Sequence, residues 1–156
     1  MNPSHDAEIS VLFVCHGNIC RSTMAEFLMK KRVEELGLRD RFRIESAATS
    51  SEEIGSPVHP GTKRILNRLG IDCSAKRARK ITREDYRNFD YIIGMDGRNK
   101  QNLLRFFGGD PEGKISLVMD YTPAPRDVLD PWYTGDFEAT YRDLIYALNF
   151  LPEKLK

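Results

Sequence analysis

The chain has 156 residues, enough for one domain with a substantial core, and its 24 Lys and Arg residues nearly balance its 23 Asp and Glu residues, giving a formal charge of +1. This balance argues against a strong overall attraction to nucleic acid or to an anionic membrane, and no apolar run approaches membrane-spanning length. Three cysteines, an odd and sparse set, indicate reduced thiols rather than a secreted disulfide framework. We therefore expect one cytoplasmic, monomeric domain over residues 1–156, with the polar residues 1–8 as a flexible extension.

Four apolar, β-branched segments alternate with helical patterns along the chain. They predict strands at 9–14, 42–47, 91–95 and 115–119. Apolar residues three and four apart predict four helices between and after these strands. The glycines expected to end the first three helices are Gly37, Gly70 and Gly108. This alternation is typical of an α/β domain with a largely parallel sheet. The proline-rich segment 120–132 is predicted to be a long, ordered surface loop, which is a frequent location for functional residues.

The segment 15–22 joins the first predicted strand to the first predicted helix and is typical of an anion-binding loop. Backbone N–H groups between a strand end and a helix start are unpaired, and the helix dipole is positive there. These groups, together with Arg21, favour negative charge on Cys15, whose thiolate is then a candidate nucleophile. The planar guanidinium of Arg21 matches two oxygens of a phosphate group. The segment therefore predicts a phosphate site with a sulfur at its base.

The other residues of this segment are predicted to support the loop. Gly17 permits close backbone approach, and Asn18 tolerates the left-handed conformation while its amide ties the loop together. The hydroxyl of Ser22 can donate a hydrogen bond to the sulfur. The remaining members of the predicted phosphate-binding group are His16, Ile19 and Cys20. We assign no catalytic role to His16.

Two other interpretations of the segment compete with this one. Buried cysteines are mostly inert packing residues, and a cysteine followed six positions later by an arginine occurs often by chance. A zinc site is disfavoured, because only His16 lies near Cys15 and Cys20 and no second ligand pair follows. The order of strand, Gly-Asn turn, cysteine, arginine and helix favours the catalytic interpretation.

Residues 14–22, VCHGNICRS, resemble the signature V-C-x-G-N-I-C-R-S of the low-molecular-weight protein tyrosine phosphatases. Further similarities extend along most of the chain and comprise Ser46-Ala47, Gly70-Ile71-Asp72, Arg77-Ala78-Arg79, Ile81-Thr82, Met95-Asp96 with Asn99, and Asp130-Pro131-Trp132-Tyr133. The resemblance implies a single three-layer phosphatase domain, with a four-stranded parallel sheet flanked by helices and a phosphate-binding loop after strand 1. It also implies that Cys15 forms a phosphocysteine intermediate, that Arg21 binds phosphate, that Asp130 is the general acid, and that no metal or cofactor is needed.

The assignment of Asp130 also has a physical basis, because a positioned carboxylic acid assists expulsion of a phenolate. The alternative is that Asp130-Pro131 only starts a turn, as such pairs often do. The resemblance places Trp132 and Tyr133 in the wall of a deep slot for phosphotyrosine, whereas by themselves they would be read as core anchors. Ile19 favours phosphotyrosine over phosphoarginine, since similar phosphoarginine phosphatases tend to carry threonine there.

Three positions depart from the family pattern. Glu52 stands where an aromatic member of the slot is usual, and with Glu53 it either disfavours acidic phosphopeptides or forms a solvated acidic loop. Thr23 replaces the usual proline and is predicted to form a capping box with Glu26. Lys76 replaces a common histidine.

Cys20 is also the subject of a redox hypothesis, because family members with this second cysteine can form a reversible disulfide to the nucleophile. Such a bond would shield Cys15 from overoxidation. The alternative is a small buried side chain in a tight loop.

The sequence therefore predicts a metal-independent protein-tyrosine-phosphatase that also accepts small aryl phosphates, with a phosphotyrosine protein, such as a tyrosine kinase, as its partner and neither nucleic acid nor membrane. The alternatives are a protein-arginine phosphatase, a thiol-dependent arsenate reductase and a non-catalytic phosphopeptide-binding module. The reductase is disfavoured because it needs additional cysteines and residues 74–156 contain none. The binding module is disfavoured because it would have little use for Asp130.

Overall fold

The computed structural model describes residues 8–156, so the extension expected at residues 1–8 lies, apart from Glu8, outside the described residues. The strands are β1 (Ile9–Cys15), β2 (Phe42–Ala48), β3 (Tyr91–Gly94) and β4 (Ile115–Leu117). They form one sheet in the order β2-β1-β3-β4, and all neighbouring pairs are parallel. The predicted four-stranded parallel sheet is confirmed.

The helices cover both faces of this sheet and make the predicted three layers. Their bounds are α1 (Arg21–Glu35), α2 (Pro60–Arg68), α3 (Arg83–Asn88), α4 (Gly97–Phe107), α5 (Pro131–Thr134), α6 (Phe137–Leu148) and α7 (Leu151–Leu155). Val11 and Phe13 of β1 belong to the core that includes residues of α1, α2, α6 and α7. Leu12 and Val14 point to the other face, into a second core with residues of α4. Because both faces of β1 are covered, its sequence is continuously apolar from Val11 to Cys15.

Two strands end earlier than predicted. Beyond β3, the side-chain amide oxygen of Asn99 accepts hydrogen bonds from the N–H groups of Met95 and Asp96, which turns the chain into α4. Beyond β4, residues 118–121 form a 3-10 turn, and Asp120 accepts a hydrogen bond from the N–H of Leu117. Apolar composition predicted longer strands because it is insensitive to these side-chain caps.

Two other predictions need correction. Helix α1 begins at Arg21, and Thr23 lies in its first turn with its hydroxyl bonded to the Cys20 carbonyl at 3.0 Å, so the capping box of Thr23 and Glu26 is wrong. The segment 120–132 is not simply a surface loop. It starts within the 3-10 turn, ends in α5 and buries the side chain of Val128 completely.

The carboxyl end of β1 is a topological switch point of the sheet. The chain leaves β1 through α1 to form β2 on one side, and β3 lies on the other side of β1. Crevices at such points are the usual ligand sites of open α/β sheets. Within residues 8–156, no helix is both long enough and apolar enough to span a membrane.

Candidate active site

The loop from β1 to α1 turns its carbonyl groups outward. The carbonyl oxygens of His16 and Ile19 accept hydrogen bonds from the N–H groups of Ser50 and His59, at 3.0 and 2.9 Å, and the Cys20 carbonyl accepts one from the Thr62 hydroxyl at 3.0 Å. In a trans peptide the N–H points opposite to the preceding carbonyl. The N–H groups that follow these carbonyls therefore point inward and form a ring of donors.

The sulfur of Cys15 lies buried at the base of this ring. It is 3.0 Å from the hydroxyl oxygen of Ser22 and accepts a hydrogen bond from the Ser22 N–H at 3.4 Å. The hydroxyl oxygen also accepts a hydrogen bond from the Asn18 amide at 2.8 Å. Because Asn18 supplies a hydrogen to this oxygen, the hydroxyl is free to direct its own hydrogen at the sulfur.

Asn18 holds the loop in the left-handed conformation, with φ of 58°, and its side chain is completely buried. Its amide nitrogen also donates to the hydroxyl of Ser46 at 2.9 Å, and its amide oxygen accepts a hydrogen bond from the Arg79 N–H at 3.2 Å. The Ser46 hydroxyl donates in turn to Glu26 at 2.5 Å. The buried Glu26 carboxylate can only accept, so Ser46 donates to it and accepts from the Asn18 amide. The same amide donates to Ser22, whose hydroxyl hydrogen is left for the Cys15 sulfur.

Two lysines balance the charge of Glu26. Lys30 donates to one carboxylate oxygen at 2.6 Å, and Lys76 lies 3.4 Å from the other while donating to the Ser46 carbonyl at 2.9 Å. Burial lowers the pKa of Lys76, and the charge of Glu26 opposes this effect. Sequence reasoning did not connect Ser46 or Glu26 with the loop, because Ser46 reaches Asn18 and Glu26 only through long-range contacts.

Arg21 is the first residue of α1, and its side chain is held by one of its two terminal nitrogens. Nη1 donates to Asp96 at 2.7 Å and to the Val128 carbonyl at 2.8 Å, while Nη2 lies 3.5 Å from Asp130. Burial lowers the pKa of Arg21, but the negative charges of Cys15, Asp96 and Asp130 outweigh burial and raise it overall. Within residues 8–156 its Nε is buried and has no hydrogen-bond partner. The Nε–H is thus available to a phosphate oxygen.

Asp96 holds Arg21, a contact that sequence reasoning missed. It caps α4 by accepting a hydrogen bond from the Asn99 N–H at 2.8 Å, and its other oxygen binds Arg21. The available signal was an Asp followed three residues later by Asn directly after a predicted strand, at the edge where the loop after the first strand also lies.

The third part of the site is the segment 130–134. Asp130 accepts a hydrogen bond from the Trp132 N–H at 3.0 Å and caps α5, so the turn expected of Asp130-Pro131 is present. The same carboxylate faces Arg21, which means that capping does not exclude a chemical role. Trp132 and Tyr133 are 58% and 80% exposed, so neither is a core anchor.

One cavity of about 120 Å³ brings most of the predicted site residues together. Its lining residues are Cys15, His16, Gly17, Ile19, Cys20, Arg21, Glu52, Glu53, Asp130, Trp132 and Tyr133. Asn18 and Ser22 are fully buried and support the loop through hydrogen bonds. Glu52 therefore does lie at the slot, where it is hydrogen-bonded to the exposed His16 at 3.3 Å. Glu53 packs against Gly17, at which an added Cβ would lie 3.4 Å from the Glu53 side chain.

The Low molecular weight phosphotyrosine protein phosphatase family model matches residues 10–156. The chain belongs to this family. It is 42% identical over 132 residues to the low-molecular-weight protein-tyrosine-phosphatase YfkJ of Bacillus subtilis, covering 83% of this chain and 85% of the relative. It is 38% identical over 156 residues to the low-molecular-weight phosphotyrosine protein phosphatase of Homo sapiens, covering 97% and 98% of the two chains.

The fold of this phosphatase agrees with that of its relatives. The crystal structure of YfkJ from Bacillus subtilis superposes with a TM-score of 0.91, covering 95% of this chain and 94% of that one at 38% identity. The predicted family and enzyme class, a protein-tyrosine-phosphatase, are therefore confirmed.

Cys20 lies in the wall of the phosphatase cavity together with Cys15. Burial, followed by the negative charges of Cys15 and Asp130, raises the pKa of its thiol to about 12. Its thiol is therefore protonated at neutral pH, and it is not a competing nucleophile.

Proposed function

We propose that this phosphatase hydrolyses phosphotyrosine in proteins by two successive displacements at phosphorus. In the first, the Cys15 thiolate forms an S–P bond while the P–O bond to the tyrosine breaks, and Asp130 gives its proton to the leaving phenolate oxygen. In the second, Asp130 takes a proton from water, whose oxygen attacks phosphorus and releases the thiolate and inorganic phosphate. The observation that carries the proposal is the cavity in which Cys15, Arg21 and Asp130 meet.

Arg21 and the inward N–H groups bind the non-bridging phosphate oxygens. The unpartnered Nε–H and Nη2 lie on the same edge of the guanidinium group. Together they present two parallel N–H donors, which match two oxygens of a phosphate group. The other terminal nitrogen is held by Asp96 and the Val128 carbonyl. Because Arg21 is already oriented, little side-chain entropy is lost when the phosphate binds.

Ser22 acts in both displacements. Its hydroxyl hydrogen is directed at the Cys15 sulfur by the donation from Asn18. A hydrogen bond to a charged sulfur stabilises the thiolate before attack and again when it leaves phosphorus. His16, Gly17, Ile19 and Cys20 shape the ring around the phosphate.

The side walls favour an aryl phosphate over an alkyl one. The cavity that contains the phosphate-binding N–H groups is also lined by Ile19, Trp132 and Tyr133, which offer apolar surface to a phenyl group. Small aryl phosphates therefore enter as well. Its natural partner is a phosphotyrosine protein such as a tyrosine kinase, and the enzyme acts as a cytoplasmic monomer. A reducing compartment suits its three free cysteines.

The experiment compares kcat/KM for phosphotyrosine, phosphoserine and phosphoarginine peptides in the wild type, Cys15→Ser and Asp130→Asn. Cys15→Ser should lose activity by at least about 10³-fold. The role of Asp130 is tested with two small aryl phosphates. The kcat/KM of Asp130→Asn should fall about 10²-fold or more with phenyl phosphate and much less with p-nitrophenyl phosphate, whose leaving group needs no proton. Asp136→Asn, which changes the helix cap of α6 to another good capping residue, is the matched control. Turnover by Cys15→Ser at the wild-type rate, or a preference for phosphoarginine, would refute the proposal.

A further inference from the structure

His59 connects the phosphate loop to the segment that carries Asp130. Its backbone N–H donates to the Ile19 carbonyl at 2.9 Å, and its Nδ1 accepts a hydrogen bond from the Gly61 N–H at 3.0 Å, at the start of α2. Its ring stacks on Phe137 of α6, with centroids 4.9 Å apart and planes 22° apart. The Trp132 ring meets it at nearly a right angle, with centroids 5.7 Å apart. His59 thus touches four parts of the fold, three of them through its imidazole ring.

This contact restrains the Trp132 ring. Trp132 is 58% exposed, and within residues 8–156 His59 is the only ring in edge-to-face or stacked contact with it. The backbone N–H of Trp132 donates to the Asp130 carboxylate at 3.0 Å, so a displacement of the Trp132 backbone also displaces a hydrogen-bond partner of that carboxylate. The segment 130–134 is a single helical turn that cannot be rigid by itself.

We propose that His59 is a positioning residue for the general acid, because its ring holds Trp132 and thereby holds Asp130 over the phosphate loop. The inference rests on the proposed function, in which Asp130 protonates the leaving group. His59 does not touch the reacting atoms. It acts through Trp132 in the first displacement and in the second.

Phe137 packs against the imidazole ring of His59 and restrains it. The Phe137 ring lies directly over Gly61, where an added Cβ would be only 2.5 Å from ring carbons. Only glycine therefore permits this approach, and the imidazole rests on a ring that is itself packed against α2. The bond from the Gly61 N–H fixes the tilt of the imidazole.

The acceptor role of Nδ1 requires a neutral ring with its hydrogen on Nε2. Burial, then the positive charge of Arg64, lowers the pKa of His59, and Glu53 opposes them. The ring is therefore neutral at pH 7 and keeps its bond to Gly61.

Two substitutions separate the ring from the helix cap. His59→Asn keeps an acceptor for the Gly61 N–H and removes the ring, whereas His59→Phe keeps the ring and removes the acceptor. The measurement is the ratio of kcat/KM for p-nitrophenyl phosphate to kcat/KM for phenyl phosphate, since only the second leaving group needs the acid. Trp132 is the only tryptophan of the chain, so its fluorescence reports directly on the acid segment.

We expect His59→Asn to raise this ratio about tenfold, a part of the effect of removing the acid. Its tryptophan emission should shift to longer wavelength and be quenched more readily by acrylamide. His59→Phe should keep the ratio within about threefold of the wild type, even if it lowers the melting temperature.

An unchanged ratio in His59→Asn, or equal increases in both variants, would overturn the inference. Asp130→Asn measured in parallel separates this failure from failure of the proposed function. If Asp130→Asn raises the ratio and His59→Asn does not, only the positioning role is wrong. If neither variant changes the ratio, the assignment of Asp130 as the acid is wrong.

Discussion

Substitution of Asn18 by alanine should be among the most damaging single changes outside the reacting groups. Asn18 is completely buried and makes side-chain hydrogen bonds to Ser22, Ser46 and the Arg79 N–H at 2.8, 2.9 and 3.2 Å. Each buried hydrogen bond contributes about 1 kcal/mol net, and its loss leaves a buried partner unsatisfied. Alanine at φ of 58° adds about 1 kcal/mol, because a Cβ disfavours the left-handed conformation.

Together these effects predict a loss of about 4 kcal/mol in the free energy of unfolding, a large part of the ~5–15 kcal/mol typical of a domain. Urea unfolding followed by circular dichroism measures this loss. Asn18→Gly is the matched control, because it removes the same hydrogen bonds but adopts positive φ freely, and it should be about 1 kcal/mol more stable than Asn18→Ala. A loss below about 1 kcal/mol in Asn18→Ala would refute the role assigned to the hydrogen-bond network.

Three further changes test other parts of the site. Replacing Glu52 and Glu53 together by glutamine should raise kcat/KM for phosphopeptides with acidic flanks roughly fivefold relative to those with basic flanks at low salt, because both carboxylates line the cavity. An unchanged ratio of the two kcat/KM values would show that these carboxylates do not influence substrate choice. Cys20→Ala should lose activity irreversibly after peroxide, whereas the wild type should recover with a thiol reductant, and equal recovery would contradict protection by a disulfide. The pKa of Cys20 is raised to about 12, so the fraction of Cys20 present as thiolate grows about tenfold per pH unit below that value. Because the thiolate is the form that attacks oxidised Cys15, protection of wild-type activity against peroxide should improve from pH 6 to pH 8. Arg21→Lys should lower kcat/KM at least about 10²-fold, since an ammonium cannot bind two phosphate oxygens through a planar pair of donors; near-normal activity would show that the charge alone suffices.

The strand, turn and helix around Cys15 were predictable because their signals are local. An apolar run ending at Cys15 and a Gly-Asn pair before Arg21 specify a strand, a tight turn and a helix start between Ile9 and Arg21, and the structure contains them in that order. The parallel sheet was predictable for the same reason, since alternation of apolar strands and periodic helices leaves few other arrangements. Family resemblance, rather than any local pattern, pointed to Asp130.

The sequence by itself therefore determined the fold class and the loop between the first strand and the first helix, and it predicted Cys15 as the nucleophile. Tertiary structure decided which distant groups hold that loop and what surrounds it. Asp96 meets Arg21 across 75 positions of the chain, and the ring of His59 meets Trp132. It also decided that Glu26 anchors a hydrogen-bond network instead of a helix cap. These outcomes depend on which side chains the packed layers bring together, and hydrophobic periodicity specifies the face of an element without specifying its polar partners.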